Sequence, residues 1–146
     1  MRRTRFDGSS CPVGRSVEVI GDRWSLLIVR DAFDGSRRFG EFQRGLGAAK
    51  NILATRLRAL VDAGIFEVVP ASDGSAYREY QLTERGRALF PVVVALRQWG
   101  EAHFFEPEEQ RSELLDRRDG RPLHALEVRA ADGRGVGPDD TVVTKV

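Results

Sequence analysis

The sequence predicts an α+β fold in which helices surround a short β-hairpin, and three observations support this class. Apolar residues recur at spacings of three and four through much of the first half of the chain, as on one face of a helix. Two short runs of β-type residues then flank Ala71-Ser-Asp-Gly-Ser, a turn-forming sequence. Hydrophobic residues make up 41% and charged residues 31% of the 146 residues, which is typical of a globular protein and excludes a disordered chain.

Four helices are predicted before the hairpin. The first begins at Cys11 and Pro12, because proline is favoured in the first helical turn, and it ends at Gly21. The fourth is amphipathic, with Ile52, Leu53, Leu57, Leu60 and Val61 predicted on its inward side and Gly64 as its C-cap. We expect these helices over residues 11–20, 23–33, 39–46 and 49–63.

A hairpin and a long helix should complete the main domain, which we predict over residues 11–105. The two strands are expected at 65–70 and 76–82. Thr83 then caps a helix from Glu84 to about Phe105, which Pro91 should kink.

The two ends of the chain lack this periodicity. Residues 1–10 are predicted to form an N-terminal arm, and residues 106–146 a C-terminal tail. In the tail, a charged segment over 106–118 is compatible with a helix, and strand-like runs at 123–128 and 141–146 should form a small β-hairpin appendage. No apolar run is long enough to cross a membrane or to serve as a secretory signal, so we expect a cytoplasmic protein.

The order of these elements predicts a winged helix-turn-helix that binds double-stranded DNA. A short helix, a glycine turn, an amphipathic helix and a hairpin follow one another directly. The net charge is +5 in residues 1–64 and −4 in residues 65–146, so the basic half should face a polyanion. The alternative is that the polar side of the amphipathic helix is only a solvated surface.

The candidate DNA contacts follow from what base edges and phosphates can accept. Asn51 can bond an adenine edge, Lys50 and Arg58 can reach guanine or phosphate, and Thr55 can touch a thymine methyl group. The arginines before the short helix are suited to phosphate contacts. The arginine in the wing is suited to phosphate or to the minor groove. The predicted DNA-binding residues are Arg37, Arg38, Lys50, Asn51, Thr55, Arg58 and Arg78.

Several motifs in register resemble one family. They are Cys11-Pro-Val, Ile20-Gly-Asp-Arg-Trp24, Gly35-Ser-Arg-Arg-Phe-Gly-Glu-Phe42, Leu53-Ala-Thr-Arg-Leu-Arg-Ala-Leu60 and Tyr80-Gln-Leu-Thr-Glu-Arg-Gly-Arg. Together they resemble the HxlR-type transcription regulators, relatives of the MarR group, over about residues 11–103. The resemblance implies a homodimer whose terminal helices form the interface, and a recognition helix that uses Lys50, Asn51, Thr55 and Arg58.

The chain departs from this family in two places. Ala48 and Ala49 occupy the positions where a Ser or Thr often caps the recognition helix in the family. The N–H groups of its first turn should therefore be less well satisfied by hydrogen bonds. The tail resembles a ribbon that some members carry with metal-binding cysteines. Residues 106–146 contain no cysteine and one histidine, so no metal is expected there.

Cys11 matches the N-terminal cysteine that some members of the family use to sense oxidants or electrophiles. A helix N-terminus and the nearby arginines would favour its thiolate. These arginines are Arg2, Arg3, Arg5 and Arg15. Because Cys11 is the only cysteine, a response requires an intersubunit disulfide, a mixed disulfide or alkylation. The alternative is a buried, unreactive residue.

Three aromatic residues are assigned to the dimer interface, with a lone hydrophobic core as the alternative. They are Trp99, Phe104 and Phe105. Dimerisation would set two recognition helices about 34 Å apart, one turn of DNA, and therefore predicts a pseudo-palindromic operator.

Other function classes find little support in the residues. We find no paired acids, phosphate loop or metal cluster, and His103 and His124 have no ligand spacing, so neither an enzyme nor a cofactor is predicted. A Cys11–His103 catalytic pair would lack an oxyanion device and a third member. Two alternatives stay open: a winged-helix protein-interaction module, and a regulator that answers an unknown small-molecule effector without thiol sensing.

Overall fold

The computed structural model describes residues 4–146 and has the winged helix-turn-helix architecture that the sequence predicts. The helices are α1 (Pro12–Ile20), α2 (Ser25–Phe33), α3 (Phe39–Leu46), α4 (Lys50–Asp62), α5 (Glu84–Arg87) and α6 (Phe90–His103). The strands are β1 (Phe66–Pro70) and β2 (Arg78–Leu82). The chain forms two compact units, one ending at Val93 and one spanning Val94–Val146.

The core of the first unit lies under α4. Leu53, Leu57 and Leu60 are fully buried on one side of this helix, because residues three and four apart share a helix face. They belong to one cluster with residues of α2, α3 and β1, among them Phe42 and Phe66. Burying each leucine contributes about 1.5–3 kcal/mol, so α4 is held by its inner side and its outer side is left to solvent.

The short junction between α1 and α2, residues 21–24, also positions α4. A Cβ atom at Gly21 would lie 2.4 Å from the carbonyl oxygen of Val17, so only glycine fits. Asp22 accepts the N–H groups of Trp24 and Ser25, both at 3.0 Å. Burial alone would raise the pKa of Asp22, but the hydrogen bond from the Ser25 hydroxyl, these two N–H groups and the charge of Arg56 together hold the pKa below its usual value. Arg56 of α4 lies 3.5 Å from the same carboxylate, which ties α4 to the junction.

Helices α2 and α3 approach each other closely at a glycine. Asp31 is only 7% exposed, and its Oδ1 pairs with Arg30 at 2.8 Å. Its buried Oδ2 has no hydrogen-bond partner among the described residues and faces Gly45 of α3. A Cβ atom at Gly45 would lie 2.6 Å from this oxygen, so glycine permits the approach.

The hairpin is anchored to α3 at its base. Strands β1 and β2 pair antiparallel, with Val68 opposite Tyr80. The N–H group of Tyr80 also donates to the carbonyl of Arg37 at 2.7 Å, so the segment before α3 lies along β2. The rings of Phe42, Phe66 and Tyr80 meet edge to face at centroid distances of 6.1–6.4 Å. The wing, residues 66–82, therefore leaves the domain in a defined direction.

The single helix predicted from Glu84 to about Phe105 is broken in two. Helix α5 ends at Arg87 and α6 begins at Phe90, with Pro91 as its second residue. Proline lacks an N–H group and fits only in the first turn of a helix without losing a hydrogen bond. The chain therefore starts a new helix at this point, where the sequence predicted a kink.

The predicted tail hairpin from 123–128 and 141–146 is not formed by the residues described, and 106–118 is not helical. The tail instead contains two turns, each closed by a single bridge: Leu115 with Pro122, and Arg129 with Gly135. The strand-like C-terminal run has no face to bury, since Val142 is 92% exposed, and an isolated two-stranded hairpin is only marginally stable. Within the same unit, the Gln98 side chain donates to the carbonyl of His124 and accepts the N–H of Leu126.

Candidate nucleic-acid interface

The outward side of α4 presents four of the predicted DNA contacts to solvent. Lys50, Asn51, Thr55 and Arg58 are all exposed. Within residues 4–146, the ammonium group of Lys50 and the guanidinium of Arg58 have no hydrogen-bond or ion-pair partner. The one acid of this helix is Asp62, its last residue. Two cations and a polar amide are therefore available to a ligand at the start and middle of α4.

The N-terminus of α4 is uncapped, as the sequence predicted. Ala49 is the N-cap residue, and no side chain accepts a hydrogen bond from the first turn. That turn also carries no acidic residue. Its N–H groups and the positive end of the helix dipole therefore favour an anion such as a DNA phosphate.

Thr55 is more constrained than its sequence position shows. Its Oγ1 donates to the carbonyl of Asn51 at 2.9 Å, so the hydroxyl proton is already used within the helix. Its methyl group is the part best suited to a base edge, as for a thymine contact. Ile52, predicted to face inward, is 40% exposed and adds an apolar surface beside Asn51.

Two arginines of α4 have opposite environments. Arg56 is half-buried and pairs with Asp22, so it holds the helix in place. Arg58 is exposed and has no acidic partner among residues 4–146. Of the two, Arg58 is the one that can reach a ligand.

A groove of about 610 Å³ separates the start of α3 from the wing. It is lined by Arg38, Phe39, Gly40, Glu41, Arg44, Tyr77, Arg78 and Tyr80. Arg44 is a cation that the sequence analysis missed. It lies over Gly40, where a Cβ atom would be 3.5 Å from the Arg44 guanidinium. The sequence signal for this arrangement was the spacing of Gly40 and Arg44, one helical turn apart, because a glycine leaves room for the arginine side chain to lie over it.

Arg38 is engaged within the wing. Its guanidinium lies 2.5 Å from Asp73 and 3.6 Å from the buried Glu79, and over the Tyr77 ring at 5.0 Å from the ring centroid. The hydrogen bond that Arg38 donates to the Asp73 carboxylate raises the pKa of Arg38 above its usual value. The N–H of Ser75, the Ser75 hydroxyl and Arg38 together lower the pKa of Asp73 to about 2. The use of Arg38 as a phosphate contact stays a prediction.

Arg37 and Arg78, unlike Arg38, have no acidic partner among residues 4–146. Both are exposed, and neither guanidinium has a hydrogen-bond or ion-pair partner in the part of the chain that the structure describes. Arg37 precedes α3, and Arg78 begins β2. Their side chains are free to contact phosphate.

A family model described as an HxlR-like helix-turn-helix matches residues 19–108, which include α2 to α6 and the wing. The chain belongs to the HxlR-like helix-turn-helix family. The resemblance stated from the sequence is thereby confirmed.

Relatives of this HxlR-like chain are regulators of the same type. An HTH-type transcriptional regulator of Mycobacterium tuberculosis is 50% identical over 104 residues, 71% of this chain and 65% of that protein. The chain thus matches less than two thirds of the length of that curated relative. An HTH-type transcriptional regulator of Synechocystis is 34% identical over 109 residues, 74% of this chain and 80% of its own length.

Solved structures agree with the family and extend to the tail. The crystal structure of PA1607, a transcription factor, has a TM-score of 0.92 and 55% sequence identity, covering 97% of this chain and 99% of that one. The redox regulator HypR in its oxidized form has a TM-score of 0.59 and 34% identity, covering 66% of this chain and all of that one. The HxlR-like core is therefore shared with both, and the tail with PA1607.

Cys11 is the exposed N-cap residue of α1 in this HxlR-like chain. Because Cys11 is exposed, the alternative of a buried residue is wrong. The N–H of Gly14 donates to its Sγ at 3.4 Å. The Arg15 side chain donates to the Ser9 carbonyl, and Arg5 pairs with Asp7. Arg2 and Arg3 lie outside the described residues.

The aromatic residues assigned to the dimer interface are exposed on the second unit. Trp99 is 57% and Phe104 66% exposed, and their rings meet at a centroid distance of 5.1 Å. Phe105 is also exposed, with Arg111 over its ring. The alternative of a lone hydrophobic core is therefore wrong, and the interface stays a prediction.

A second apolar surface lies on the first unit. Helix α1 buries none of its residues, although Val13 and Val17 form an apolar stripe. A groove of about 660 Å³ runs beside it. Its apolar lining consists of Pro12, Val13, Val17, Val19, Ile20, Ala63, Ile65, Leu89 and Val92.

Residues 4–146 contain neither a metal-binding cluster nor a membrane-spanning helix. No three His, Cys, Asp or Glu side chains among them lie close enough together to hold a metal ion. No helix in that range has the length and apolar character needed to span a membrane.

Proposed function

We propose that the chain is a cytoplasmic transcription regulator that binds double-stranded DNA as a homodimer at a pseudo-palindromic operator. The observation that carries this proposal is the outward side of α4. Lys50, Asn51 and Arg58 are exposed there, the two cations have no described partner, and the helix N-terminus is uncapped. A helix of this kind fits the major groove and offers the side chains that read base edges.

The division of roles follows from these environments. Asn51 bonds an adenine edge, Arg58 and Lys50 bond guanine or phosphate, and the Thr55 methyl group contacts thymine. Arg37, Arg44 and Arg78 contact phosphates on either side of the recognition helix. These contacts make affinity depend steeply on salt.

The homodimer is supported by the apolar groove beside α1. A helix that buries nothing in its own subunit while exposing Val13 and Val17 is typical of a protein–protein interface. A second copy of the chain would cover this surface, and a two-fold dimer repeats the same patch on both subunits. The exposed aromatic residues of the second unit, Trp99, Phe104 and Phe105, are the other predicted contribution.

A thiol response at Cys11 is a second, separable part of the proposal. Cys11 is exposed and accepts the N–H of Gly14, and the chain resembles a redox regulator, HypR. With one cysteine per chain, two thiols from two subunits would give up two protons and two electrons to an oxidant and form an intersubunit disulfide. A regulator that answers a small molecule without thiol chemistry is the alternative.

Footprinting on the chain's own upstream region tests this function. We expect protection of two half-sites about one helical turn apart, lost as salt rises. Absence of salt-dependent binding to any duplex would favour a protein-interaction module and contradict the proposal. Repeating the footprint after diamide, with Cys11→Ser as control, tests the thiol response. An unchanged footprint with Cys11 demonstrably oxidised would remove that part alone.

A further inference from the structure

Among residues 4–93, Arg38 is the cation with the most polar and aromatic contacts. Besides its pairs with Asp73 and Glu79, its guanidinium lies 3.5 Å from the Ser75 hydroxyl and over the Tyr77 ring. Asp73 and Ser75 belong to the wing turn, residues 71–77, while Glu79 lies in β2 beside that turn and Arg38 is the residue before α3. One side chain therefore connects the start of α3 to the wing turn and to the adjoining end of β2.

Local contacts also hold the wing turn. The N–H of Ala71 donates to the carbonyl of Tyr77, and the N–H of Gly74 to the carbonyl of Ala71, both at 3.1 Å. The N–H of Ser75 donates to Asp73, and the Ser72 hydroxyl donates to Glu79 at 3.3 Å. Asp73, Ser75 and Tyr77 are exposed, and Ala71 is the one buried apolar residue of the turn. All these contacts lie within the hairpin, whereas Arg38 connects the turn to α3. A turn with so little buried apolar surface moves readily unless it is also held from outside.

The charges around Arg38 argue against a phosphate contact. Arg38 faces two carboxylates, Asp73 and Glu79, so the cluster carries a net charge of −1. A phosphate approaching Arg38 would meet Asp73 beside it. Arg37, the adjacent residue, is exposed and has no acidic partner among the described residues.

We propose that Arg38 is a positioning residue that fixes the wing in the pose used on DNA and does not itself contact phosphate. This inference rests on the proposed DNA-binding function. Arg44 of α3 and Arg78 of the wing line the same groove, so the pose of the wing sets where Arg78 lies relative to Arg44. Releasing the wing then costs affinity because the turn must be ordered again on binding.

The salt dependence of operator affinity distinguishes a positioning role of Arg38 from a phosphate contact. The slope of log affinity against log salt concentration is proportional to the number of phosphates that the protein neutralises. We expect Arg38→Ala to weaken binding about tenfold while leaving the slope unchanged. Arg37→Ala is the matched control, one residue away, and should reduce the slope by about 0.9. A wild-type protein without salt-dependent binding would instead contradict the proposed function.

A charge-matched double variant removes the remaining ambiguity. Arg38→Ala combined with Asp73→Asn restores the net charge of the cluster but lacks the connection between α3 and the wing. We expect the double variant to bind as weakly as Arg38→Ala. Recovery of wild-type affinity would show that Arg38 acts through charge alone, and would overturn the inference.

A measurement on the free protein tests the same inference without DNA. Heteronuclear relaxation reports fast backbone motion of the amides of residues 72–77. We expect these amides to become mobile in Arg38→Ala and in the double variant, and to stay rigid in Arg37→Ala. A rigid wing in Arg38→Ala, or a slope reduced by about 0.9, would overturn the positioning role.

Discussion

The recognition helix α4 and the wing both carry predicted DNA contacts, but different forces hold them. Helix α4 is fixed by Leu53, Leu57 and Leu60, which are buried beneath it. The turn of the wing is held to α3 by Arg38, which pairs with the exposed Asp73 and the buried Glu79. The pose of α4 therefore rests on apolar packing spread over several residues, and the pose of the wing turn rests largely on one side chain.

The same contrast recurs between neighbouring arginines. Arg56 and Arg58 are two residues apart, and Arg37 and Arg38 are adjacent, yet one of each pair is bound to an acid and the other is exposed. The paired arginine orients an element, and the unpaired one is available to a ligand. Three measurements test this division between residues that hold the structure and residues that are available to a ligand.

The largest effect is expected from the core beneath α4. Leu57→Ala should lower the free energy of unfolding by about 2–5 kcal/mol, because it removes buried methyl groups and leaves a cavity. Arg58→Ala, on the opposite side of the helix, should change it by less than about 0.5 kcal/mol. Denaturant unfolding at one fixed protein concentration measures both. Equal losses would mean that α4 is not held by its apolar side.

A smaller effect is expected on DNA affinity. Arg58→Ala and Asn51→Ala should each weaken specific binding by about 1–3 kcal/mol, because each removes a contact to a base edge or phosphate. Arg56→Ala is the control on the same helix. It should lower stability by about 0–1 kcal/mol, through the lost pair with Asp22, and change affinity less. Titration of a fluorescent operator gives these values, and an Arg56→Ala loss as large as that of Arg58→Ala would refute the assignment.

The smallest effect concerns the titration of the wing. The pKa of Asp73 is lowered to about 2, first by the Ser75 N–H and hydroxyl and then by Arg38. Its ionised form therefore supports the wing fully above the ordinary pKa of 3.8, and this support is lost as pH falls through about 2. Carboxyl carbon shifts should show a midpoint near 2 in the wild type. In Arg38→Ala the midpoint should rise but stay below 3.8, since the Ser75 hydrogen bonds remain.

The sequence predicted the helices and the wing of the first unit because their signals are local and agree with one another. The leucines of α4 recur at helical spacing and are followed by Gly64, and the structure buries three of them. The exposed positions Lys50, Asn51, Thr55 and Arg58 follow from the same periodicity. Ile52 was misassigned because it lies at the border of the apolar stripe, where spacing alone does not separate inside from outside.

The remaining errors concern contacts between residues distant in sequence. Arg37 and Arg38 are the same residue type, so the sequence does not distinguish them. Only the fold brings Asp73 and Glu79, 35 and 41 positions later, beside Arg38. Pro91 is compatible either with a kink inside one long helix or with the first turn of a new helix, and the sequence alone does not decide between them. In the structure, Pro91 lies in the first turn of α6. In the tail, β-type residues suggested strands, but the described chain gives them no sheet to join.

The close approach of Asp31 and Gly45 limits which related sequences can keep this geometry. Any side chain at position 45 would press on a buried carboxylate oxygen of Asp31. Exchanging the glycine for alanine alone would require the Asp31 side chain to shift or α2 and α3 to separate, and shortening Asp31 at the same time would relieve the overlap. We therefore expect the two positions to covary in homologues, and a designer who alters one must alter the other.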